Sequence, residues 1–113
     1  MKLWIVCGVL LWASVVGAQD FLPATDDVPL MDGLYQVEEN ATFDSPSEKM
    51  TIISAMTREK PVTVMRFYRQ VLINLGWQAK GKNHFIRGSD TLVLELTSMG
   101  QETAIQFTLV QKN

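Results

Sequence analysis

The chain is poor in the residues that build redox, metal and hydrolytic centres. It contains one cysteine, Cys7, and one histidine, His84. A single cysteine rules out an intrachain disulfide and any multi-cysteine metal site. A single histidine rules out a two-histidine metal pair, and no serine is flanked by the glycines of a nucleophile elbow. The sequence therefore predicts no catalytic residue, no metal site and no cofactor, and we expect a protein that is not an enzyme.

Four side chains could be considered for catalysis or metal binding, but each has a simpler explanation. His84 stands beside a turn in a predicted strand, which favours a solvent-facing side chain over a general base. Asp26, Asp27 and Asp32 lack the Asp-x-Asp-x-Asp-Gly spacing of a calcium-binding loop, and Asp32-Gly33 is typical of a turn.

Charge is missing from most of the N-terminal segment. An apolar run from Leu3 to Val16 follows Lys2, and it ends in the small residues Gly17 and Ala18. The run is too short to cross about 30 Å of hydrocarbon comfortably as a helix. A charged start, an apolar centre and a small-residue exit are typical of a secretory signal. We predict a signal peptide over residues 1–18 and a periplasmic or secreted protein with no stable membrane anchor after cleavage.

The net charge is small, but the charges are unevenly distributed. The formal value of −2 at pH 7 favours neither nucleic acid nor strong attraction to a membrane. Eight acidic and no basic residues lie from Asp20 to Glu48, whereas eight basic residues and only Glu59 as an acid lie from Lys49 to Arg87. Two explanations remain open: the two segments lie close together and offset each other, or the basic segment offers a face to an anionic partner.

The residue pattern predicts an irregular acidic arm over residues 19–33 and a single α+β domain over residues 34–113. The arm shows no period of 2 or 3.6, and it contains two prolines and four aspartates. Alternating or β-branched runs predict a strand hairpin over 34–43 and 50–56. Similar runs predict later strands over 77–79, 84–87, 91–97 and 104–110.

One amphipathic helix is predicted between the two groups of strands, over residues 61–75. Pro61 suits a first helical turn, and Gly76 suits a left-handed C-terminal cap. The apolar stripe consists of Val64, Met65, Tyr68, Val71, Leu72 and Leu75. Trp77 either closes the core or stacks on a ligand. The predicted order is β-β-α-β-β-β, with the helix packed on one face of a mainly antiparallel sheet.

Five side chains near this helix are candidates for contact with a partner: Arg66, Phe67, Arg69, Lys80 and Lys82. Arg66 and Arg69 are three residues apart and share a helix face, and with the two lysines they would suit a phosphate or a carboxylate. Phe67 either is a contact point between the arginines or belongs to a wide apolar stripe.

The helix carries a resemblance to a known group of proteins. Residues Val64 to Trp77 follow the pattern V-xx-FY-xxx-L-xxx-GW. The pattern resembles that of small exported bacterial domains, notably proteobacterial ones, in which a strand pair precedes such a helix and further strands follow. Segments 27–34 and 43–46 resemble the lead-in of the same group. The resemblance implies a fold and export, and it carries no catalytic residue across.

The sequence thus predicts a non-enzymatic periplasmic accessory or protein-interaction domain whose partner is a periplasmic protein. The alternative is a binder of small anionic ligands or lipid head groups through the basic helix face.

The signal-peptide prediction has a direct test. When the full chain is expressed in its source bacterium, the recovered protein should begin at Gln19, because cleavage follows Ala18. Intact-mass spectrometry measures this N-terminus. Ala18→Arg, which places a large charged side chain at the cleavage position, should block processing and serves as the control. A recovered chain that still carries residues 1–18 would contradict the prediction.

Overall fold

The computed structural model describes residues 20–113, so the predicted signal peptide and Gln19 lie outside the described residues. After the arm, six strands and one helix follow in the order β-β-α-β-β-β, which confirms the predicted fold class. The elements are β1 (Tyr35–Asp44), β2 (Glu48–Thr57), α1 (Pro61–Asn74), β3 (Gln78–Ala79), β4 (His84–Arg87), β5 (Asp90–Met99) and β6 (Glu102–Lys112).

All six strands form one antiparallel sheet with the order β1-β2-β6-β5-β4-β3. Short turns join β1 to β2 and join β3, β4, β5 and β6 in succession, as antiparallel neighbours allow. The helix is the long connection, and it carries the chain from β2 to β3 at the far edge. The last strand then returns to the middle of the sheet, between β2 and β5.

The helix covers one face of this sheet. Its buried residues Val64, Tyr68 and Leu72 are four apart and therefore form one stripe. The Tyr68 ring meets Phe107 of β6 edge-on, with 5.2 Å between ring centroids. The sheet residues buried in the same core are Ile53, Ala55, Phe85, Leu92, Leu94, Ile105, Phe107 and Leu109.

Gly76 ends the helix as the sequence predicts. Its φ of +94° is left-handed backbone that favours glycine. The Trp77 amide donates to the Leu72 carbonyl at 2.9 Å and the Gly76 amide to the Ile73 carbonyl at 3.1 Å, which is a Schellman motif. The motif turns Trp77 inward, where the side chain is only 2% exposed. Of the two roles considered for Trp77, it therefore closes the core.

The arm is irregular, with one isolated bridge between Phe21 and Pro29, yet it belongs to the core. Leu22, Val28 and Met31 are buried with the sheet and helix residues. Tyr68 connects the arm to the helix, because its hydroxyl donates to the Pro29 carbonyl at 2.9 Å and accepts from the Met31 amide at 3.2 Å.

Asp27 connects the arm to the sheet. Its carboxylate pairs with Arg87 of β4 at 2.5 Å and accepts from Gln111 of β6 at 3.1 Å. The Asp27 carbonyl accepts from Trp77 Nε1 at 3.4 Å, and the Arg87 guanidinium lies over the Trp77 ring. Within residues 20–113, this is the ion pair that joins the acidic segment to the basic one; the other pair, Glu48–Lys112, does not.

We predict that Tyr68→Phe lowers the free energy of unfolding by about 1–3 kcal/mol, because the Pro29 carbonyl and Met31 amide lose their buried partner. Tyr35→Phe is the matched control: the Tyr35 hydroxyl is buried without a partner among the described residues, so its removal should cost little. Chemical denaturation measures both changes. Equal losses in the two variants would contradict the assignment.

The stability difference between the wild type and Tyr68→Phe should also depend on pH. Burial raises the pKa of Tyr68 well above its ordinary value of 10.0, so folding favours the protonated phenol. The stabilisation from Tyr68 is complete below pH 10 and is lost as the pH rises further. The stability difference between the wild type and Tyr68→Phe should therefore shrink above pH 10, because the other titrating groups are common to both proteins.

Asp27→Ala should lower the free energy of unfolding by about 1–2 kcal/mol, because Arg87 and Gln111 lose a partly buried acceptor. Asp26→Ala removes the same charge from the exposed neighbouring position and should stay within about 0.5 kcal/mol of the wild type. Thermal or urea unfolding of both variants measures the difference. A cost shared by Asp26 would mean that net charge, and not the contact, is responsible.

Candidate functional site

The face of the sheet that points away from α1 is not covered by a helix within residues 20–113. Burial alternates along β2, where Ile53 and Ala55 are buried and Ile52 and Ser54 are half-buried on the other side. The helix and the arm close only the first side. We call the second side the open face.

On the open face, residues that pair across neighbouring strands form rows. Two adjacent rows are mostly apolar or β-branched. The first row contains Phe43, Met50, Val110, Thr91 and Ile86, and the second contains Ala41, Ile52, Thr108, Val93 and His84. These rows cross from β1 to β4 and define the apolar strip. Phe43, at the outer end, is 59% exposed. A strip of this kind is unusual on a surface that faces only water.

The next row along the strands is polar and acidic. It contains Glu38, Ser54, Gln106 and Glu95, and it borders a depression of about 380 Å³. Ser54 Oγ donates to Asn40 Oδ1 at 3.2 Å, and Gln106 Nε2 donates to Glu95 Oε1 at 3.3 Å. Neither carboxylate has an ion-pair partner among the described residues. We call this row the acidic row.

His84 lies at the edge of the apolar strip and is half-buried, so it is less exposed than the sequence predicts. Its Nε2 is buried and has no hydrogen-bond partner within residues 20–113.

A second concavity, the α1–β5 groove, lies on the helix side of the sheet. It has a volume of about 520 Å³ and is lined by Pro61, Val62, Met65, Leu94, Leu96, Arg69, Lys82 and Asn83. Arg69 Nη2 donates to the carbonyls of Gly81 at 3.3 Å and Lys82 at 2.8 Å, which fixes the guanidinium against the loop between β3 and β4. Asn83 Nδ2 donates to the Leu94 carbonyl at 2.8 Å and holds the same loop to β5.

The structure brings two of the five contact residues predicted from the sequence to one groove. Arg69 and Lys82 meet at the α1–β5 groove, and Lys80 is exposed on the same loop. Arg66 is exposed on the side of α1 that faces away from the sheet.

Phe67 lies on the opposite flank of the helix from Arg69, because two residues rotate the helix by about 200°. Its ring packs edge-on against Tyr68, with 4.9 Å between centroids, and it is half-buried against the core. The structure therefore favours the wide apolar stripe for Phe67.

Sequence reasoning missed the apolar strip, although one signal for it was present. In β2, Met50, Ile52 and Met56 alternate with the buried residues Ile53 and Ala55, so both faces of the strand are apolar. A strand with one wet face normally alternates between apolar and polar residues.

No three His, Cys, Asp or Glu side chains of residues 20–113 come together as metal ligands do. In the same part of the chain, no helix is both long enough and apolar enough to cross a membrane.

Comparison with known proteins adds nothing to this picture. No protein-family model, curated protein or solved structure matches the chain. The resemblance to small exported proteobacterial domains therefore stays a prediction, and any function assigned to the protein has to come from its own residues.

Proposed function

We propose that the protein is a non-enzymatic accessory domain of the periplasm that binds another protein through its open face. The observation that carries this proposal is the apolar strip, which crosses five neighbouring strands and which no helix covers within residues 20–113. A sheet buries each apolar face against another layer. Because α1 occupies one side only, the second layer comes from a partner.

The chemistry of the open face selects the kind of partner. An apolar surface on the partner would bury the apolar strip. Lysine or arginine at one end of that surface would pair with the acidic row beside it. A partner that supplies both would bury the strip and neutralise Glu38 and Glu95 at the rim.

A second copy of this chain is a poorer match. Face-to-face packing of two open faces would place the acidic row either against the same row of the other copy or against its apolar strip. The first arrangement brings like charges together, and the second buries carboxylates without partners. A different protein with a basic margin meets neither cost.

The polar groups of the open face support binding over catalysis. The Ser54 hydroxyl in the acidic row donates to the amide oxygen of Asn40. An amide does not accept the proton as a general base would, so this serine is not activated.

Site-specific photocrosslinking in the source bacterium tests the proposal. Phe43 and Ile73 are apolar and similarly exposed, at 59% and 52%, but Phe43 lies on the open face and Ile73 on the helix. A crosslinking amino acid at Phe43 should give one adduct of discrete mass, and the same amino acid at Ile73 should give none. Val93→Glu in the Phe43 background should abolish the adduct, because it places a charge within the apolar strip.

Three results would contradict the proposal: no adduct at Phe43, an equally strong adduct at Ile73, or an adduct of twice the chain mass, which would indicate a second copy. Unchanged circular dichroism of the purified Val93→Glu variant shows that the loss of the adduct does not come from unfolding. Glu38→Lys should also reduce the adduct, since it repels the basic margin of the partner.

A further inference from the structure

We propose that the α1–β5 groove binds a small amphiphile with an anionic head group, a carboxylate or a phosphate, joined to one hydrocarbon chain. The groove lies on the helix side of the sheet, so this inference does not depend on the partner proposed for the open face.

The apolar lining of the groove suits the chain of such a ligand. Its volume of about 520 Å³ falls within the usual range for small-molecule sites. Val62 is 60% exposed, and Met65 and Leu96 are half-buried beside it. A hydrocarbon chain that lies along these side chains would remove apolar surface from water on both sides.

The charged lining suits the head group. Arg69 and Lys82 line the groove together, and no carboxylate does. Arg69 Nη2 also donates to the backbone carbonyl of Lys82, which brings this residue beside the guanidinium. An anion bound in the groove would meet a cationic lining and no carboxylate among the lining residues.

Arg69 is oriented before any ligand arrives. Both of its hydrogen bonds to the described residues come from Nη2, which leaves the Nε and Nη1 donors to solvent or a ligand. A guanidinium that is already fixed loses little conformational freedom on binding, and its Nη1 donors can bind an oxygen of a carboxylate or a phosphate.

Head group and chain are both needed for useful affinity. Exposed ion pairs contribute little in water because solvent screens them, so an inorganic anion gains little here. An uncharged chain gains the apolar contact but leaves the two cations unneutralised. A membrane surface is also a poor match, because a groove between a helix and a strand takes single molecules.

Titration of the exported mature protein with probes of matched size tests the proposal. Decanoate and decyl phosphate carry both features, decanol lacks the charge, and inorganic phosphate lacks the chain. Below their micellar concentrations, the two anionic amphiphiles should shift the amide NMR signals of Lys82, Asn83 and Leu94. Decanol should bind at least about tenfold more weakly, the difference expected for one hydrogen-bonded charge, and phosphate should leave these signals unchanged.

Paired lysine variants separate this site from general charge effects. Lys82→Gln should weaken decanoate binding severalfold and leave decanol binding unchanged, while Lys80→Gln, in the same loop but outside the groove, should change neither. Leu96→Asn should weaken the binding of both ligands, since it acts on the chain.

The proposal is overturned if neither anionic amphiphile shifts these signals, or if decanol binds as tightly as decanoate. It is likewise overturned if Lys80→Gln acts as strongly as Lys82→Gln, or if the shifted amides map to the open face. None of these results bears on the crosslinking experiment at Phe43, so the two proposals fail or stand separately.

Discussion

The buried side chain of Tyr68, which belongs to the helix, contacts both the arm and the sheet. A phenol inside an apolar core normally costs stability unless its polar atom is paired. Here the oxygen both donates, to the Pro29 carbonyl, and accepts, from the Met31 amide, while the ring rests against Phe107. The arm therefore closes the helix side of the sheet, and the core needs no further layer on that side.

This closure explains why the open face is left uncovered within residues 20–113. One helix of 14 residues and a short arm cover one side of a six-stranded sheet, and within residues 20–113 nothing remains to cover the other. The second side nevertheless carries Met50, Ile52 and Val93 in adjacent rows. The apolar strip is thus uncovered because the helix and the arm both lie on the other side of the sheet. It is the physical basis for proposing an interaction domain.

The features of the fold that the sequence predicted well are those set by local chemistry. Pro61, a stripe of spacing four and Gly76 specify the helix whatever surrounds it. The alternation in β5 and β6 likewise follows from a strand with one buried face. The predicted order β-β-α-β-β-β needed only these signals and short turns.

The features it did not predict depend on contacts between distant residues. In β1, register shifts between Tyr35 and Glu38 and between Glu39 and Ala41 change which face each side chain occupies. As a result Val37 packs towards the core while Phe43 belongs to the open face, although both fall on the same alternation in the sequence. The pairing of Arg69 with the Lys82 carbonyl depends in the same way on where a loop returns.

The structure shows where several of the unevenly distributed charges of the sequence lie in the fold. Asp27 and Arg87 join the acidic and basic segments at one point. The acidic row occupies the open face, whereas Arg69 and Lys82 line a groove on the opposite side of the sheet. The Asp27–Arg87 pair supports the first explanation at one point, and an anionic partner for the basic segment stays a prediction. A basic protein margin and an anionic amphiphile would meet opposite faces of the sheet, so neither would block the other, and the core that Tyr68 closes lies between them.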